Sequence, residues 1–452
     1  MKLKTFLLAF VIASIFIACN KKGKDDSAFS VPVDYYKLDN GLKVILSEDK
    51  TAPTAVVAVY YNIGFRIEPK DRTGFAHLFE HMMFQGSQNL GKMEFIKLVQ
   101  SNGGVLNGST RFDFTNYFEI IPSHKVETML WAEADRMRGL NITQENLTNQ
   151  QGVVKNEVKV NVLNQPYGGF PWLDMPQYAN TNWHNAHNFY GDLKDLDAAN
   201  LDDVASFFKT YYAPNNAAIA VVGDFDKDEI KGWIEKYFGN IPSSELPEKP
   251  DISEPKQIEE KTFVKVDSLA NKPAIAIAYH MPERNTAEYY AMGLLDQILV
   301  QGDNGLLVQK LENEKGFTSN VSGGINYLGN MFNYKGPMLW MFNLTYDNEE
   351  DRDAIVSSVD EVLNELRKGI SEEMLADALV KGRSQLYDAL SGLGRADLLC
   401  SFALFDDDPS RINYLEDEFK KVTPELINKT IEEYLRPTNR TILTLKPLNT
   451  KN

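Results

Sequence analysis

The stretch YYAPNNAAI at residues 211–219 returns, altered but recognisable, as YLRPTNRTI at 434–442. Tyr211, Pro214, Asn216 and Ile219 match Tyr434, Pro437, Asn439 and Ile442 at a constant offset. AVVAVYYN (55–62) and PAIAIAYH (273–280) form a second pair at nearly the same offset. Two matches in step point to duplication, and a duplicated chain has to fold as two copies of one unit. At 452 residues the chain is also too long for one compact core, so two domains of about 200 residues each are expected. Between the copies, SSELPEKPDISEPKQIEEK (243–261) is rich in Pro and Glu and poor in apolar residues, which makes it a linker. The domains then run 30–242 and 262–452.

Within each copy, helical and strand patterns mix, giving an α+β class. Residues 33–37 and 43–47 read as strands joined through LDNG, whose Asn40-Gly41 is a hairpin signal. TAVVAVYYNIG (54–64) is a continuous apolar strand, expected to be buried on both faces. Helices are expected near 73–84, 93–101, 125–138 and 144–162, a strand pair across 105–121, and a helix–strand–helix set over 200–238.

Charge and cysteine content exclude some functions. A net charge of −16 argues against nucleic acid, whose phosphates need a basic surface. Its simplest meaning is solubility. Cys19 and Cys400 are far apart and imply no disulfide framework.

The N-terminus reads as a targeting segment. Lys2 and Lys4 precede an apolar run from Phe6 to Ile17, which is short for a membrane span. It ends in FIACN, which resembles a bacterial lipobox with cleavage after Ala18 and lipid on Cys19, although Phe16 stands where leucine is usual. A plain signal peptide (1–18) with an incidental cysteine is the alternative. Residues 19–29 then form a flexible tether. The expectation is a lipid-anchored protein of the cell envelope, outside the cytoplasm, facing the periplasm or the surface.

The chemistry concentrates in AHLFEHMMFQG (76–86). On a helix, residues four apart stand on one face, so His77 and His81 can direct two imidazoles at one ion. Glu80 flanks that ion without having to bind it. Zinc hydrolysis requires this combination of nitrogen ligands with a carboxylate that takes a proton from water. His-x-x-Glu-His is the inverse of the commoner zinc-protease order. Leu78, Phe79, Met82 and Met83 supply the core face of the same helix.

A catalytic zinc keeps three protein ligands and one open position. His124 and His280, isolated beside strand ends, read as structural. His184 and His187 sit in an Asn-rich loop with no base nearby. A carboxylate remains as the third ligand, and Glu133, Glu145 and Glu157 all lie on expected helices.

GFAHLFEHMMFQGS, the downstream QQGVVKNEVKVN and the duplicated halves together resemble the pitrilysin/insulinase family of zinc metallopeptidases. The similarity covers nearly everything after residue 30 and is strongest to the short, two-domain bacterial and mitochondrial-processing-type members. It implies two homologous α+β domains forming half of a clamshell, one Zn2+ per chain, and a glutamate on a helix as third ligand. Glu157 occupies that position. The resemblance also makes GGVLNGSTRFDFTNYFEII (103–121) the edge strand that binds substrate backbone, with Asn107, Gly108 and Ser109 at its signature and Gly108 replacing the usual alanine. By propensity alone, Asn107-Gly108 could equally be a turn.

Two departures stand out. Gln150 occupies a position, seven residues before the ligand glutamate, where the family often has a second glutamate. An amide there can hydrogen-bond but brings no charge. Self-sufficient members also carry an arginine and a tyrosine in the second domain, where this chain has Gly305 and Ser319. Such groups stabilise the oxyanion. Their absence implies a related partner subunit that supplies them, so a heterodimer is expected ahead of a homodimer. The function implied is a zinc endopeptidase acting on peptides in an enclosed chamber, with Glu80 as general base. The alternative is a non-catalytic peptide-binding or assembly lipoprotein of the same fold.

Overall fold

The computed structural model describes residues 30–448, and the expectations for the leader and for Cys19 lie outside them. Among the described residues, eleven strands make two sheets: β1 Asp34–Lys37, β2 Lys43–Glu48, β3 Thr54–Tyr61, β4 Val105–Thr110, β5 Thr115–Pro122 and β6 Ala217–Gly223 in the first, β7 Lys261–Asp267, β8 Ala274–His280, β9 Val321–Ile325, β10 Leu339–Thr345 and β11 Arg440–Pro447 in the second. The longer helices are α1 Phe75–Met82, α2 Glu94–Ser101, α3 Val126–Arg138, α4 Gln144–Val158, α5 Leu201–Tyr211, α6 Lys227–Phe238, α7 Ala287–Leu299, α8 Arg352–Arg367, α9 Glu372–Ala389, α10 Gly392–Asp406 and α11 Pro424–Tyr434. Among the described residues, no helix is long and apolar enough to cross a membrane.

Strand order shows the duplication directly. The first sheet runs β1-β2-β6-β3-β5-β4 and the second β7-β11-β8-β10-β9. Apart from the extra β1, the two orders coincide. So do the directions: one parallel pair (β2 with β6, β7 with β11), then three antiparallel ones.

The repeated Tyr-x-x-Pro-x-Asn pattern has a physical reason. Asn216 Nδ2 donates to the carbonyls of Tyr211, at 2.9 Å, and Asn62, at 3.5 Å. Asn439 Nδ2 donates to those of Tyr434, at 2.7 Å, and His280, at 3.0 Å. Each buried amide ties the end of a helix to the end of the neighbouring central strand, satisfying backbone acceptors that the turn leaves open. Pro214 and Pro437 start the intervening turn of 3-10 helix.

β3 is buried along its length after Thr54, as its apolar run predicts. Val57, Val59 and Tyr61 share a core with Leu78 and Phe79 of α1 and Met129 and Leu130 of α3. The opposite face, where Tyr60 points, is covered by α10 from the second half of the chain, which also packs on β6. The exchange is reciprocal. The short helix Met175–Ala179 of the first half packs on β8 and β11, in a core with Ala274, Ala276, Leu443 and Leu445. Residues 242–260 have no regular structure, yet they are pinned: Glu254 accepts from the backbone of Thr181 and Asn182 at 3.0 and 2.9 Å.

Candidate metal centre

α1 begins at Gly74, which has a left-handed backbone (φ 81°) and no side chain to cap the helix. Glu68 does that work from outside. Its carboxylate accepts from Gly74 N at 2.9 Å and Ala76 N at 2.6 Å, and it is completely buried. Two of the helix's open donors are thereby satisfied by a negative group at the positive end of the helix. His187 Nε2 stands 3.6 Å behind it, with the His187 ring stacked on Trp183 at 4.2 Å. The α1 register is thus held from its first turn.

On this helix, the His77 and His81 rings lie 4.9 Å apart and nearly perpendicular. Both Nε2 atoms face Glu157 of α4, at 3.6 Å from His77 to Oε1 and 3.2 Å from His81 to Oε2. The three ligand atoms lie within 4.8 Å of one another, and among the described residues this is the one group of three such side chains. Two imidazole nitrogens and a carboxylate form the donor set of an open, catalytic type of zinc site. The residues fit the ion. Immediately after Glu157, α4 gives way to a π-helical turn at Lys159–Leu163. The sequence pattern had extended the helix regularly to 162; wide turns of this kind are often found beside functional groups.

The electrostatics suit a metal. Burial and the neighbouring His81 push the His77 imidazole down to about 4, against the pull of Glu157, so its lone pair is available at neutral pH. For His81, burial acts downward, but hydrogen bonds to Glu157 and Gln150 and the charges of Glu80 and Glu157 outweigh it and raise the ring. Burial works upward on Glu157 as well, and the two histidines with Tyr190 overcome it and lower the carboxyl. Glu80 goes up, driven by burial and only partly relieved by Thr110 and His81.

Glu80 does not join the ligand group. Its Oε2 accepts from Thr110 Oγ1 at 2.8 Å, which ties it to the end of β4. β4 is the outer strand of its sheet, with Gly108 paired to Tyr117, so Asn107-Gly108 is strand and not turn. A Cβ on Gly108 would stand 3.3 Å from Glu80 Cγ, so this edge strand lies directly against the carboxylate. Asn107 is exposed, and Ser109 Oγ donates to Asn116 Oδ1 at 2.5 Å. Gln150, two turns before Glu157 on α4, is buried, and its side chain helps to raise the His81 ring.

The other carboxylates on helices fall elsewhere. Glu133 is buried against Arg136 in α3, and Glu145 is exposed in the first turn of α4. His184 and His187 serve the loop under Glu68, with His184 Nδ1 bonded to Arg66 O at 2.9 Å. Sequence reasoning missed Glu68, and also Phe189 and Tyr190. Those rings stand 5.1 and 5.2 Å from His77, and Tyr190 OH donates to Glu157 Oε1 at 3.2 Å. A helix start without a cap of its own was the available signal for Glu68. Nothing local marks the aromatic pair. In the second half, a Cβ on Gly305 would meet Leu299 O at 2.9 Å, so an arginine does not fit there without moving the end of α7.

Comparison with known proteins places the chain among peptidases of one family. Residues 43–185 match the model described as insulinase (peptidase family M16), and residues 198–379 match that of the peptidase M16 inactive domain. The zinc protease PqqE of Helicobacter pylori is 27% identical over 421 residues, covering 91% of this chain and 92% of that protein. An uncharacterized zinc protease of Bacillus subtilis, YmxG, is 22% identical over 295 residues, 63% of this chain and 68% of that one. Among solved structures, a protease from Helicobacter pylori superposes with a TM-score of 0.83 at 24% identity, covering 93% of this chain and 100% of that chain. A peptidase M16 inactive domain from Pseudomonas fluorescens gives 0.79 at 18% identity, over 93% and 99%. The last two establish the fold alone, two related α+β halves making half of a clamshell. Matched over residues 43–185 and 198–379 and similar to the zinc protease PqqE over 91% of its length, the chain belongs to the insulinase family of peptidases, M16.

Proposed function

We propose that the protein is a zinc-dependent endopeptidase that cleaves peptides laid along β4. The observation that carries this is the convergence of His77, His81 and Glu157 within 4.8 Å, beside a separate, partly buried carboxylate, Glu80 of α1, that lies against the outermost strand of the sheet. A zinc ion held by these three side chains would supply Lewis acidity and acidify a water. The chain's own residues do the rest. β4 offers its open edge to substrate main chain, so that backbone hydrogen bonds hold the peptide whatever its side chains are. Glu80, with its carboxyl raised by burial, takes the proton from the attacking water and returns it to the departing amine. Thr110 fixes Glu80 in place, and Tyr190 and Gln150 orient Glu157 and His81.

A partner subunit completes this reading. The absence of an arginine at Gly305 and a tyrosine at Ser319, with no room at Gly305 for a side chain, supports a heterodimer in which a related chain supplies the oxyanion contacts. Attachment to the cell envelope through lipid on Cys19 belongs to the same proposal. The deciding experiment is Glu80→Gln, assayed with and without a candidate partner. It should retain one zinc per chain by elemental analysis and lose turnover by roughly 10²–10⁴-fold. Peptide cleavage undiminished in that variant, or a folded wild type that takes up no zinc, would overturn the proposal. The latter result would favour a non-catalytic peptide-binding lipoprotein.

A further inference from the structure

The chain has thirteen arginines. Twelve hold a carboxylate, a carbonyl, a side-chain oxygen or a combination of these. Arg111 alone has no side-chain hydrogen bond or ion pair among the described residues. It directly follows Thr110, the residue bonded to Glu80. Its backbone is fixed on both sides: its N–H donates to Phe114 O at 2.8 Å and its carbonyl accepts from Phe65 N at 3.2 Å. The guanidinium therefore sits on a rigid base at the end of the edge strand.

Every nearby acid is already occupied. Asp113 takes Arg66 Nε at 2.8 Å and the backbone N–H of Lys335 at 2.8 Å. Glu80 takes Thr110. Asp397 takes Tyr60 OH at 2.8 Å and Asn333 Nδ2 at 2.9 Å. The charge of Arg111 acts on both Glu80 and Asp397, yet neither lies within ion-pair distance. A partly exposed guanidinium with five planar donors, free in a chain of net charge −16, is matched to a carboxylate from outside. We propose that Arg111 is the recognition residue for a carboxylate on the bound peptide, either an acidic side chain near the scissile bond or the free C-terminus. This rests on the peptidase reading and narrows its substrate class.

The test uses zinc-loaded full-length protein, with its partner if one is required, and matched fluorogenic peptides. One pair differs by Glu against Gln near the cleavage point, the other by a C-terminal acid against its amide. Wild type should favour the carboxylate in one pair by roughly tenfold to a hundredfold in kcat/KM, and that pair identifies the source. The ratio should fall to near one in Arg111→Gln, persist in part in Arg111→Lys, and turn towards a Lys-bearing peptide in Arg111→Glu. Arg352→Gln, outside the site, should leave the ratio alone and so control for overall charge. A preference missing from wild type in both pairs, or undiminished in Arg111→Gln, overturns the proposal. Binding of the same labelled peptides to Glu80→Gln protein, with and without Arg111→Gln, measures the preference without turnover. If nothing is cleaved, the peptidase reading fails, while acid-over-amide binding that depends on Arg111 still supports the subsite and its absence rejects it.

Discussion

The helices that follow β3 and β8 hold the same place in the two halves and have opposite contents. α1 presents His77, Glu80 and His81 beside an edge strand. α7 is buried throughout from Tyr289 to Leu299, and its last turns carry Leu294, Leu295, Ile298 and Leu299. One scaffold thus serves once as a frame for polar chemistry and once as packing, and the choice lies in a few side chains. The polar version needs outside support, which Glu68, Tyr190 and Gln150 give it. The packed version is capped by its own Thr286, and it keeps one buried carboxyl, Asp296, bonded by Trp340 Nε1 at 2.8 Å and Gln301 Nε2 at 3.0 Å.

That carboxyl offers the largest stability test of the contrast. Burial pushes Asp296 up to about 7, despite the bonds from Trp340 and Gln301. The folded protein therefore holds this proton more tightly than the unfolded chain does. The stability it contributes is complete below about pH 4 and lost as pH rises through about 7, a change of up to about 4 kcal/mol. Asp296→Asn has no such proton, so urea unfolding across that window should show the variant gaining on wild type by up to this amount. Identical pH slopes would mean that the second half tolerates a charge where the packing says it does not.

Glu68→Gln probes the support given to the first half. The amide places a donor where the carboxylate accepted from Gly74 and Ala76, so a loss of about 2 kcal/mol is expected. Zinc should also be surrendered more readily to a chelator, since the α1 register loosens. Unchanged stability and zinc retention would show that α1 is held by its apolar face alone.

Asn216→Ala and Asn439→Ala test the part the halves share. Each removes a buried amide with two backbone acceptors, and each should cost about 1–2 kcal/mol in chemical denaturation. A difference between them much above 1 kcal/mol would break the equivalence of the two ties. The smallest effect belongs to Gly108→Ala. The new methyl would stand 3.2 Å from Tyr117 Cδ1 and 3.3 Å from Glu80 Cγ. That crowding offsets the stiffer backbone, so thermal unfolding should shift by the equivalent of less than about 1 kcal/mol.

Much of this was legible in the sequence because it is written locally. The i, i+4 spacing of His77 and His81 and the alternation in 105–121 depend on neighbours along the chain. Glu157 was different: helical pattern alone left Glu133 and Glu145 beside it, and only the family resemblance separated them. What distinguishes the three is which face of α3 or α4 meets α1, a tertiary fact. Glu68 and Tyr190 were invisible for the same reason, since each acts on a residue brought to it by the fold. The apolar run of β3 was read as buried on both faces, but nothing nearby announced that its cover, α10, begins more than three hundred residues later.

That borrowed cover has a consequence for how the protein can be handled. A fragment ending in the strap would expose the outer face of β3 and β6 to water, and its complement would uncover β8 and β11. Neither is a sound candidate for expression by itself. A single proteolytic nick at the partly exposed Leu246 is another matter, because the two pieces remain interlocked through surfaces that the strap does not provide.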